Sequence, residues 1–167
     1  PGPEHTGTPL VICLQVESFA DFRRTYAKHH SEWPKDFELP AWDQLCQEAW
    51  ASGLLTVPAF GANTVRSEFE FLMGVPVTQM GVDGFEPYQW IARQKQPCFD
   101  SALPAALVRC GYSTHFMHPY AMAFYQRDRV LPKLGFEVFD DIKSFETSPE
   151  KQAFDAANGG LAAVGCE

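Results

Sequence analysis

The sequence predicts an α/β fold, layered, with a mainly parallel sheet flanked by helices. Three observations predict it. Pro9 to Val16 is a nearly unbroken apolar run of strand length, the pattern of a central parallel strand covered on both faces. Further strand-length runs alternate with segments whose apolar residues recur at helical spacing. Glycine or proline punctuates most of the changes between them.

The elements follow in chain order. The first strand, from Pro9 to Val16, stops at Glu17-Ser18-Phe19, and residues 20–40 read as a polar and aromatic excursion containing Pro34 and Pro40. Trp42, Leu45, Cys46, Ala49 and Trp50 then fall at i, i+3, i+4, i+7 and i+8, an amphipathic helix ending at Gly53. Gly53 to Pro58 reads as a second strand and Gly61-Ala62-Asn63 as a turn. A helix from Thr64 to Met73 carries Val65, Phe69, Leu72 and Met73 on one stripe and stops at Gly74. Residues 75–97 hold glycines and prolines without a sustained period and read as a long loop. Ser101 caps a helix on which Leu103, Ala106, Leu107 and Cys110 repeat, closed by Gly111. Tyr112 to Met117 reads as a third strand, residues 120–134 as a helix that Pro132 kinks, and Phe136 to Phe139 as a fourth strand. The Ala/Gly-rich tail from Ala156 to Gly165 reads as weakly structured.

Composition narrows the function classes. With 13 Lys and Arg against 21 Asp and Glu, the net charge of −8 supplies no basic stripe, which argues against a nucleic-acid partner. The five cysteines lack CxxC spacing, so a zinc ribbon is not expected, and Cys13, Cys46 and Cys110 read as small buried hydrophobes. No stretch approaches the roughly 20 apolar residues of a membrane helix. The chain begins Pro1-Gly2-Pro3 rather than with Met, which suggests a piece cut from a longer polypeptide.

Two residues stand where open parallel sheets place their chemistry, just past the C-terminal ends of strands: Glu17 after the first and Thr64 shortly after the second. Thr64 also opens a helix, where free N–H groups and the helix dipole favour a phosphoryl group. A threonine hydroxyl reacts only when a base or a metal activates it, and Glu17 offers one hard oxygen ligand for such an ion. The bland alternatives are a helix cap for Thr64 and a solvated strand end for Glu17.

Three ordered motifs carry a resemblance. Cys13-Leu14-Gln15-Val16-Glu17-Ser18 resembles the first metal-ligand strand of lipoteichoic-acid synthases and related phosphoglycerol transferases, in the alkaline phosphatase superfamily. Gly61-Ala62-Asn63-Thr64-Val65-Arg66-Ser67-Glu68-Phe69 is similar to their nucleophile motif. Cys98-Phe99-Asp100-Ser101 through Gly111-Tyr112, then His118 and Phe124-Tyr125-Gln126-Arg127, resembles the region lining their phosphoglycerol pocket. The likeness covers about residues 10–145, and residues 146–167 diverge from it.

The resemblance implies a single, incomplete sulfatase-like catalytic domain over residues 1–167. By it, Thr64 takes the phosphoryl group covalently, and Glu17 and Thr64 hold a divalent metal (Mn, Mg or Zn). His118, Tyr125 and Arg127 hold the substrate, with Tyr125 standing where the family often has Trp. His115 is a weaker candidate, and Arg66 is not expected to act directly.

The expected substrate is a phospholipid or phosphoglycan. The parent would be membrane-anchored with its catalytic domain outside the cytoplasmic membrane. The family completes its metal site with an Asp-His pair and a later His; this chain has no Asp-His dipeptide, and its last histidine is His118. The metal is therefore expected to bind weakly or not at all here, the chain alone to be catalytically poor, and uncovered apolar surface to favour self-association. Two other functions fit the same residues: sulfatase or phosphoethanolamine transferase chemistry, and a non-catalytic binding module that keeps the fold.

Overall fold

A computed structural model describes residues 8–16, 21, 23, 38–59, 61, 63–96 and 98–157. Glu17 lies outside the described residues, as do most of the 20–40 excursion and the end of the tail. The chain divides into two units, one of Pro1–Pro9 with Pro58–Glu167 and one of Leu10–Val57.

The larger unit holds the core. Helix α2 (Val65–Met73) forms as its stripe predicts: Val65, Phe69, Leu72 and Met73 are all buried, and Gly74 in the left-handed region closes the helix with its N–H on the Glu70 carbonyl. The segment read as a long loop is instead ordered. A 3₁₀ stretch, Val77–Phe85, turns at Gly81 and leads into helix α3 (Pro87–Arg93). Two short elements of different pitch leave no sustained period to read, although Pro87 at the start of α3 and the buried pair Tyr88 and Ile91 give it a local signature.

Helix α4 (Leu103–Arg109) buries Pro104 and Ala105 rather than the predicted Leu107 and Cys110 face, and Ala102, not Ser101, stands at its N-cap. The reason is a close approach: a Cβ at Gly135 would sit 2.6 Å from the Ala105 backbone, so the small residues of α4 face that glycine. Strand β1 (His115–Met117) and strand β2 (Val138–Asp140) pair in parallel, His115 opposite Val138 and Met117 opposite Asp140. Helix α5 (Arg127–Leu134) crosses between them and buries Val130, Leu131 and Leu134, with Pro132 tolerated in its last turn. Lys133 donates its ammonium to the carbonyls of Ile91, Ala92 and Gln94 at 3.3, 3.3 and 2.5 Å, capping the end of α3. Helices α6 (Ile142–Glu146) and α7 (Pro149–Ala157) follow.

The smaller unit contains α1 (Pro40–Glu48), which buries none of its residues. Arg23 ties to it by donating to both Asp43 oxygens at 2.8 and 2.6 Å while also pairing with Asp21. That guanidinium holds the Asp43 carboxyl below its ordinary range. The two apolar runs read as strands one and two are not strands among the described residues, and both are exposed. A strand exists through its neighbour's backbone, and neither run has such a neighbour among those residues. Cys13 and Cys110 are exposed and Cys46 is half-buried, so the expectation of three buried thiols fails. The α/β character of the chain thus rests on the parallel β1–α5–β2 unit and the helices packed about it.

Candidate functional site

Thr64 immediately precedes α2, half-buried, with helical backbone angles and no capping hydrogen bond from its side chain to the helix. Its carbonyl accepts the Glu68 N–H at 3.1 Å, so the first turn starts from this residue. The turn before it is pinned by Asn63, whose amide donates to the Phe85 carbonyl at 2.8 Å. Beside that turn lies an open groove of about 420 Å³ lined by Asn63, Val82, Asp83, Phe85, Glu86 and Arg93. The Arg66 guanidinium lies over the Phe85 ring, 5.8 Å from its centre.

His118 follows β1 at the C-terminal end of the parallel pair, the edge at which such sheets place their sites. Its N–H donates to the Asp140 carbonyl at 2.9 Å, its ring stacks on Phe116, and its Nδ1 accepts the Tyr120 N–H at 3.1 Å. His115, the weaker candidate, is half exposed and pairs through Nε2 with Asp140 at 2.6 Å. The loop that follows is held by Asp141, which accepts N–H groups from Met122 and Lys143; these bonds hold its carboxyl below the ordinary range. The loop ends in Tyr125 and Gln126, both at positive φ (56° and 57°), backbone that non-glycine residues adopt at a cost.

Arg127 opens α5 and is only 2% exposed. It lies side-on to Glu68 of α2, donating Nε to Oε1 at 3.2 Å and Nη2 to Oε2 at 2.9 Å. The Tyr88 hydroxyl of α3 also donates to Glu68 Oε1. Burial, and then the charge of Glu68, push that hydroxyl well above its ordinary range, so it remains a donor. The Tyr125 ring lies 5.5 Å from the guanidinium carbon of Arg127. Arg127 Nη1 is buried without a hydrogen-bond partner among the described residues, a condition that costs about 1–3 kcal/mol for such a group.

The structure therefore sets Arg127, with the Tyr125 ring beside it, on one buried carboxylate, Glu68, four residues after Thr64 in the helix that Thr64 precedes. Glu68 and Tyr88 were not singled out from sequence. A signal existed: Glu68 sits on the apolar stripe of α2, and Arg127 sits on the equivalent stripe of α5 with Val130, Leu131 and Leu134. A charge on each of two apolar stripes asks for a partner.

A protein-family model for sulfatases matches residues 9–161. The chain belongs to the sulfatase family. Its fold is accordingly that of part of an α/β, alkaline-phosphatase-like domain. The chain is 33% identical over 159 residues to a capsular polysaccharide biosynthesis protein, RkpI, of Rhizobium meliloti (strain 1021), covering 95% of this chain and 28% of that protein. It is 30% identical over 151 residues to a putative cyclic beta-1,2-glucan modification protein of the same strain, covering 90% of this chain and 21% of that protein. The chain thus spans roughly a quarter of the length of these curated relatives. No solved structure matches.

Sulfatases commonly use a divalent metal. Among the described residues no group of three or more His, Cys, Asp or Glu side chains converges to hold one, and Glu17, expected as a ligand from the resemblance alone, lies outside them. The described residues therefore do not by themselves fit a metal. Likewise, no helix of the described residues is long and apolar enough to cross a membrane.

Proposed function

We propose that the protein transfers a phosphoglycerol-type group from a phospholipid to a cell-envelope glycan through a covalent phosphothreonine at Thr64. One observation carries the reading. The helix that follows Thr64 holds, one turn on, the carboxylate that fixes Arg127, so the candidate nucleophile and the candidate phosphate ligand are both tied to α2. Sulfatase-family membership supports the chemistry, and the relatives in capsular polysaccharide biosynthesis and glucan modification support the envelope setting.

In this reading the Thr64 hydroxyl oxygen attacks phosphorus, the bond to the lipid alcohol breaks, and that alcohol leaves with a proton. An acceptor hydroxyl then displaces Thr64 in the same in-line manner. The Arg127 guanidinium meets the equatorial phosphoryl oxygens, and its planar fork suits them better than a point charge does. His118, at the C-terminal end of β1, and Tyr125, over Arg127, contact the glycerol moiety. Glu17 and Thr64 are the residues that would hold a divalent cation, which would lower the proton affinity of the Thr64 hydroxyl. Exposed apolar runs such as Leu10–Val16 are assigned to association, with a second copy or with other parts of a membrane-anchored, extracytoplasmic parent.

The test uses the full-length gene product with phosphatidylglycerol as donor and a glucan as acceptor. A phosphoglycerol adduct should map to Thr64 by peptide mass spectrometry and vanish with turnover in Thr64→Ala. Turnover that survives Thr64→Ala would remove the covalent step. Transfer of sulfate or phosphoethanolamine in place of phosphoglycerol would move the protein to a neighbouring chemistry.

A further inference from the structure

We propose that Glu68 is the positioning residue for Arg127, and that Tyr88 holds Glu68 in that role. The inference rests on the reading above, in which Arg127 meets the phosphoryl group, and adds the groups that aim it. Glu68 takes the Nε–Nη2 edge of the guanidinium, at 3.2 and 2.9 Å, and leaves the Nη1 end directed away from it. Nη1 is buried with no hydrogen-bond partner among the described groups. A side-on carboxylate thus fixes the plane of the guanidinium and presents its opposite edge for a second acceptor, which a phosphoryl oxygen matches in charge and shape.

Tyr88 completes the arrangement. Its hydroxyl, 1% exposed as part of the whole residue, donates to the same Oε1 that accepts from Nε, so Glu68 is held from α3 as well as from α5. Three helices, α2, α3 and α5, meet at this one carboxylate. An aliphatic side chain of similar volume would pack there at less desolvation cost, so a buried ion pair at this point is a weak device for stability alone. Its use is to set direction. The Tyr125 ring lies over the guanidinium, on backbone at positive φ.

The test titrates glycerol 1-phosphate into the full-length gene product by calorimetry, at a temperature where circular dichroism shows each variant folded. Arg127→Gln should abolish the binding. Glu68→Gln should weaken it about tenfold and Tyr88→Phe about threefold, the scale of one charged and one neutral hydrogen bond. In the Arg127→Gln background, Glu68→Gln should change nothing further. Wild-type affinity in folded Glu68→Gln and Tyr88→Phe, with only a lowered melting temperature, would make the network purely structural; the Arg127 reading would survive. Binding indifferent to Arg127→Gln, or absent from the wild type, overturns that reading and this inference with it. If Glu68→Gln does not fold, Tyr88→Phe decides the matter.

Discussion

The two units of this chain are both rich in apolar residues and use them in opposite ways. In the larger unit Val65, Phe69, Ile91, Leu131 and Leu134 are at most 2% exposed. In the smaller, Leu10, Leu14 and Leu55 are 84–86% exposed, and no described residue of Leu10–Val57 is buried. The difference lies in what each segment meets. α2, α3 and α5 present stripes to one another, whereas the runs at residues 9–16 and 53–57 have no described strand beside them. Hydrophobicity supplies a driving force without a direction, and partners supply the direction.

The largest loss of stability is expected at the buried pair. Arg127→Ala or Glu68→Ala strands the partner's charge and should cost about 3–5 kcal/mol in urea unfolding, against near zero for an exposed pair such as Arg93–Asp83. An equally small loss at both pairs would mean water reaches Glu68. Leu131→Ala should cost about 2–5 kcal/mol through lost burial and a residual cavity. Gly135→Ala should cost about 1–3 kcal/mol by the same assay, because the residue has φ 93° and its added methyl meets the Ala105 backbone.

A pH dependence sharpens the picture within the larger unit. Asp141 has its carboxyl lowered by the Met122 and Lys143 N–H bonds, so its stabilisation is present above about pH 4 and fades as pH falls through the lower folded value. Melting temperature followed against pH should therefore drop more steeply at acid pH for the wild type than for Asp141→Asn. The smallest effect is expected in the other unit, where Leu14→Ser should change stability by less than about 0.5 kcal/mol. A loss several times larger would show that this run is covered in solution.

Much of the larger unit was legible beforehand. The α2 stripe, its glycine stop, the parallel β1 and β2 segments and a helix between them followed from period and punctuation, although that helix starts at Arg127 rather than at residue 120. α3 was missed because seven residues hold too few repeats to establish a period. The buried face of α4 was misread because Gly135, far along the chain, selects which side of that helix can approach. The candidate site divided in the same way. Thr64, His118, Tyr125 and Arg127 are candidates by motif, while Glu68 has no role assigned within its motif and Tyr88 falls in the segment read as a loop.

Sequence by itself determined the family, the order of the motifs and the helices whose stripes are long enough to repeat. Tertiary structure alone decided that Glu68 and Arg127, 59 residues apart, share one buried contact, and that Tyr88 donates to the same oxygen. The physical reason is that period and propensity act over a few neighbouring residues, whereas the partner of a buried charge is chosen by how whole helices pack.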